Sequence, residues 1–205
     1  MCRTCTRSRG ITLPEVLVAS FLLGIMLLAV GAIYKIGAAG MSKTTAHSDM
    51  LAQAQVTAAK LSREVATSSF DSLTISPDHT AASFLLRIDE KGHFAFDALD
   101  GRPLWKSYVV YFQENDELKR RVLPLPEGAV LLNAAPIEEF APWGKKPLSE
   151  YCTDGATIAR SLKTCNFQNF SGRLRLTLVA EKQRLGKKDP ETMELTFITM
   201  FRNRR

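Results

Sequence analysis

The chain has 205 residues, 45% hydrophobic and 23% charged, with 27 Lys and Arg against 21 Asp and Glu. That length allows one sizeable folded domain and an appendage, and the ordinary bulk composition excludes a disordered, collagen-like or multi-span membrane protein. The charge is unevenly spread: Met1–Gly10 holds Arg3, Arg7 and Arg9 and no acid, whereas Val16–Tyr34 is nineteen residues without a charge.

Nineteen helical residues span roughly 28 Å, close to the ~30 Å hydrocarbon core of a bilayer. A secretory signal has a shorter apolar core and ends in a small-x-small site, which Ala29-Val30-Gly31 and Gly37-Ala38-Ala39 only imitate. The reading is a membrane anchor whose basic leader stays in the cytoplasm, so that everything after Lys35 faces outward. Glu15 stands one turn inside the apolar segment Ile11–Tyr34. A charge there costs something like ~2–3 kcal/mol in lipid and calls for a partner and a task, unless it lies close enough to the head groups to stay hydrated.

The run Arg9-Gly10-Ile11-Thr12-Leu13-Pro14-Glu15-Val16-Leu17-Val18-Ala19 resembles the prepilin signal of type IV pilins and type II secretion pseudopilins. The resemblance implies a cut between Gly10 and Ile11 by a membrane aspartic protease, the prepilin peptidase, followed by N-methylation of Ile11. It makes Glu15 the fifth-position glutamate, which pairs with the N-terminal amine of a neighbouring subunit and so directs assembly. Its chemistry agrees with the residues: Gly offers an unhindered scissile bond, and two opposite charges meet where lipid would leave each unpaired. Two departures stand out. The family usually has Phe where Ile11 stands, and major pilins often carry Pro where this chain has Ala32, which leans away from a principal filament subunit.

Beyond the anchor, Met50, Ala54, Ala58, Leu61 and Val65 recur at helical spacing, with Asp49, Gln53, Lys60, Arg63 and Glu64 on other faces. This is an amphipathic continuation of the helix, made to lie against a core. From Ser72 the period changes to two. Ala82–Asp89 and His93–Ala98 read as a hairpin around Glu90-Lys91-Gly92, and Asp100-Gly101-Arg102-Pro103 as a turn before a strand at Trp105–Gln113. Asn115-Asp116 then turns into Leu118–Leu123, and Arg173–Ala180 and Met193–Phe201 alternate similarly. Pro124–Pro147, with five prolines, reads as an irregular loop holding at most a short strand near Ala129–Leu132.

The expected fold class is α+β, with five or six antiparallel strands packed on one long helix. The expected divisions are a leader at 1–10, a transmembrane and assembly helix at 11–34, its amphipathic continuation at 35–70, and a β-rich pilin-like domain at 71–205.

Cys2 and Cys5 have CxxC spacing but lie in the discarded leader. Cys152 and Cys165 fall in the exported part, where the compartment is oxidising, and a bridge would close a fourteen-residue loop worth about 3 kcal/mol; two buried free thiols are the alternative. There is no GxSxG elbow, HExxH helix or phosphate loop, and His47, His79 and His93 are scattered. No catalytic residue, metal or cofactor is therefore expected, and an anchored enzyme is disfavoured. Lys119-Arg120-Arg121, Lys182–Lys188 and Arg202-Asn203-Arg204-Arg205 are basic clusters that suit DNA phosphates, or else a solvated strand face, and no aromatic residue sits inside the basic loops.

The resulting expectation is a minor pilin or minor pseudopilin in the bacterial inner membrane, and Trp105–Phe112 with the terminal Phe201-Arg202-Asn203 resembles the J-type pseudopilins and related minor pilins. The resemblance implies other pilins or pseudopilins, prepilin peptidase and the inner-membrane assembly platform as partners, with incorporation at the tip of a pilus or pseudopilus. A DNA-binding minor pilin of an uptake pilus is the alternative.

Overall fold

The computed structural model describes residues 12–87, 101, 104–126, 133–183 and 189–202. The chain divides into two compact units, Met1–Thr44 and Thr45–Arg205. Among the described residues the first contributes Thr12 and helix from Leu13 onward, and the second holds the last turns of that helix and the strands. The architecture is the pilin-like α+β class.

Helix α1 spans Leu13–Ala66. Within the second unit its buried positions are Ala46, Met50, Ala54, Thr57, Leu61, Glu64 and Val65, a stripe of three- and four-residue steps that lies on the sheets. Thr57, rather than Ala58, occupies the central buried place, and its Oγ1 has no hydrogen-bond partner.

Eight strands follow among the described residues, all antiparallel, in two sheets. β1 (Thr74–Ile75), β2 (Ala81–Leu86), β3 (Ser107–Glu114), β4 (Glu117–Pro124) and β5 (Ala156–Arg160) form one in sequential order. β6 (Leu162–Phe170), β7 (Arg173–Lys182) and β8 (Glu191–Met200) form the second. Two-residue turns set the registers. Asn115, at φ 54°, lies between the paired Glu114 and Glu117, and Ser171-Gly172, both at positive φ, join Phe170 to Arg173, the primed-turn geometry that suits strand twist.

Short hydrogen bonds tie the sheets together. The Cys165 N–H donates to Gln113 Oε1 (2.8 Å) and the Phe167 N–H to the His79 carbonyl (2.8 Å). His79 Nδ1–H donates to the Phe167 carbonyl at 3.1 Å. This histidine is a structural joint between sheets.

The five-stranded sheet is apolar on both faces. One face, with Ala82, Phe84, Val109 and Tyr111, meets the helix stripe and the inner side chains of β7, Leu174, Leu176 and Leu178. Phe201 enters this core between Phe70 and Phe84, with ring centroids 5.7 and 6.2 Å away. The other face, with Leu85, Tyr108, Val110 and Phe112, is covered by the proline-rich segment. That segment is a series of 3-10 turns, Ile137–Glu139, Ala141–Trp143 and Leu148–Tyr151. They seat Ile137, Phe140, Leu148 and Tyr151 on the sheet, and the Tyr108 hydroxyl donates to the Ala135 carbonyl at 2.8 Å. The stretch expected to be an irregular loop is therefore a second core layer. The strand expected near Ala129–Leu132 and the hairpin strand at His93–Ala98 lie outside the described residues.

Candidate functional site

Gly10 and Ile11 lie outside the described residues, and the helix begins immediately after them. Thr12 is the cap: its carbonyl accepts the amides of Glu15 (3.0 Å) and Val16 (3.3 Å). In return Glu15 Oε2 accepts the Thr12 N–H and the Thr12 Oγ1 hydroxyl, both at 2.9 Å. This is the reciprocal half of a capping box, a Glu three residues after a Thr. Pro14 fits because amides in a first turn have no intrahelical acceptor. The Thr-x-x-Glu signal was present in the sequence, but a reading centred on the charge of Glu15 passes over its capping role. The cap holds the carboxylate at the positive end of the helix dipole and leaves Oε1 without a partner among the described residues, open to an outside cation.

Behind Glu15, all side chains from Val16 to Met41 are exposed, including Leu17, Phe21, Leu28 and Tyr34. The segment is long and apolar enough to cross a membrane, and so large an apolar surface requires lipid or other helices as cover. Gly24, Gly31, Gly37 and Gly40 have nothing within 4 Å of an added Cβ. Within the isolated chain none of them is required by packing.

The expected Cys152–Cys165 bridge is not formed; both are free thiols. Cys165 is buried in the helix-side core, and Cys152 packs at the edge of the cluster on the opposite face. The five-stranded sheet lies between the two clusters, so loop length alone does not bring the sulfurs together. Burial pushes both thiols up, Cys152 to about 11.

The cluster Lys119-Arg120-Arg121 is divided by strand alternation. Arg120 turns to the helix face, where its Nη2 lies 2.8 Å from Glu64 Oε1 and its Nε 3.2 Å from Glu64 Oε2. The Tyr111 hydroxyl donates to the same Glu64 Oε2 at 2.7 Å. Burial first, and the Glu64 charge second, push the Tyr111 phenol far above its usual value. This triad ties the end of α1 to β3 and β4, and no sequence pattern marks it. Arg121 on the other face donates to the Tyr151 carbonyl and Thr153, and Lys119 pairs with Glu114. Lys182 pairs with Asp49 at 2.7 Å. Residues 184–188 and 203–205 of the other basic clusters lie outside the described residues.

A helix opened by a capping carboxylate and followed by an uncovered apolar surface fits a class of protein whose amino-terminal helix serves in a membrane or a helical bundle. Residues 5–31 match the prokaryotic N-terminal methylation motif, the prepilin signal typical of type IV pilins and pseudopilins. No curated protein matches the chain, and no solved structure does either. The chain thus carries the signal of a processed, pilin-like or pseudopilin-like subunit, which implies processing by prepilin peptidase and assembly with other pilins.

Proposed function

We propose that the chain is a minor pilin or minor pseudopilin that joins the tip of a type IV pilus or type II secretion pseudopilus. The observation that carries the reading is the methylation motif at 5–31 leading into an apolar, uncovered helix whose one ionic group before Lys35 is Glu15. In this reading prepilin peptidase cuts between Gly10 and Ile11 and methylates Ile11. The protein sits in the inner membrane with its leader cytoplasmic and its domain outside. Incorporation proceeds when Oε1 of Glu15 meets the amine of an adjacent subunit, so that neither charge is left alone in lipid. Ala32 in place of the helix proline of major pilins and the long β-rich domain support a low-copy role.

The first test is mass spectrometry of the protein from cells with active prepilin peptidase: the expected terminus is N-methylated Ile11, and an intact Met1 overturns the reading. The minor role is tested by deleting the gene and counting filaments: initiation should fall while the composition of residual filaments is unchanged. The DNA-binding alternative draws little support from Arg120, Arg121, Lys119 and Lys182, which are engaged within the chain. Salt-sensitive retention on DNA would revive it.

A further inference from the structure

The second unit contains a groove of about 850 Å³ between the last turns of α1 and the ends of β2, β3 and β4. Its floor is apolar, formed by Ala59, Leu86 and Val122. Its rim carries Lys60 and Arg63 from one helix face and Lys106 from just ahead of β3, all three exposed. None of the three has a carboxylate partner among the described residues. Arg120 also lines it, but its charge is answered by Glu64. Among the described residues the groove therefore presents three cations without a carboxylate partner around an apolar floor, in a frame held by the Glu64–Arg120–Tyr111 triad. Its volume lies within the roughly 300–1,000 Å³ range of sites that enclose a ligand.

We infer that this groove docks an acidic segment of a different pilin-like subunit, with carboxylates on Lys60, Arg63 and Lys106 and an apolar side chain on Val122. The inference rests on the subunit reading above and names the chemistry of the contact. Charge complementarity selects the occupant: the three rim cations attract carboxylates, and the chain cut after Gly10 still carries 24 Lys and Arg against 21 Asp and Glu, which opposes a second copy and favours an acidic partner. An apolar floor has nothing to offer a phosphate backbone. No aromatic residue is among the lining residues, and Tyr111 behind them is fully buried and committed to Glu64, so the groove offers no stacking platform for bases.

The test uses the full chain in detergent micelles and fluorescence anisotropy of a labelled peptide, Glu-Leu-Asp-Ile-Glu, against its Gln/Asn isostere and a labelled single-stranded DNA. The acidic peptide should bind and the isostere should not. Lys60→Gln with Lys106→Gln should weaken binding roughly tenfold. Ala59→Trp, at an exposed helix position, should block the floor with every charge intact. Equal binding of the isostere overturns the proposal, as does tighter binding of DNA lost through the same substitutions. So does self-association of the chain abolished by them, or tighter peptide binding after Asp97→Asn with Asp100→Asn, which would make the chain's own acidic stretch the occupant. If the peptide fails while the terminus is still N-methylated Ile11, the groove assignment falls and the subunit reading stands.

Discussion

Glu15 has two separable properties, a charge and a cap. Removing the side chain deletes both, since the Thr12 N–H and hydroxyl lose their acceptor, at about 1 kcal/mol of local helix stability. Glu15→Gln keeps an acceptor for Thr12 but no charge. If incorporation depends on ionic pairing, Glu15→Gln and Glu15→Ala should be equally impaired in filament assembly while both are still cut; rescue by Gln would assign the role to capping. The cysteines give a second prediction at this scale. At neutral pH their raised values leave almost no thiolate, so iodoacetamide should label Cys165 only after unfolding and Cys152 slowly, and an intact 152–165 bridge by mass spectrometry would contradict the separation of the thiols by the sheet. The signs of the raised values also set the alkaline limit. A thiol pushed from the usual 9 to about 11 by burial contributes stability that is whole below pH 9 and is lost as pH rises through 11. Burial of Tyr108 and Tyr111 acts in the same direction. The melting temperature should thus be flat from pH 7 to 9 and fall above it.

At the scale of elements, the helix is held to the sheet by an apolar stripe and by one polar lock. Glu64→Ala would leave Arg120 and the Tyr111 hydroxyl unpaired in a mostly buried place, and should cost about 3 kcal/mol in urea unfolding. Tyr111→Phe should cost only about 1 kcal/mol. A second pressure point is Gly155, ahead of β5: a Cβ there would meet Phe112 Cε1 and Cζ at 2.9 Å and Lys119 Cβ at 3.0 Å. Phe112 is buried in the outer cluster and has no room to retreat, so Gly155→Ala should destabilise by about 1–3 kcal/mol. The legible elements were those with a clean period. β3, β4, β7 and β8 alternate visibly, and the helix stripe through Met50, Leu61 and Val65 repeats at the turn of a helix. β5 and β6 carry no clean period: Ala156–Arg160 mixes small and polar residues, and a register shift between Leu162 and Thr164 interrupts the alternation of β6. The 3-10 turns of 137–151 were unreadable as core, since one turn has no period and prolines signal loops. Only the aromatic content of Phe140, Trp143 and Tyr151 hinted at burial.

At the scale of the molecule, the division into Met1–Thr44 and Thr45–Arg205 gives a direct prediction. A chain trimmed to 45–205 should unfold in one cooperative transition by circular dichroism and calorimetry, because the buried side chains of the described structure all lie in that unit. A broad or absent transition would show that the first unit is needed for folding. The prepilin signal and the uncharged helix were written in the chain by themselves, because a peptidase recognises a short extended segment and lipid recognises composition, and neither needs a fold to be read. The α+β class followed from periodicity, which reports the environment of each face. What only the tertiary structure decided was which distant groups meet: that Glu64 holds Arg120 and Tyr111, that a sheet parts Cys152 from Cys165, and that Lys60, Arg63 and Lys106 share one groove. Such pairings depend on strand order and on which face each residue takes, and a one-residue shift in register reverses them.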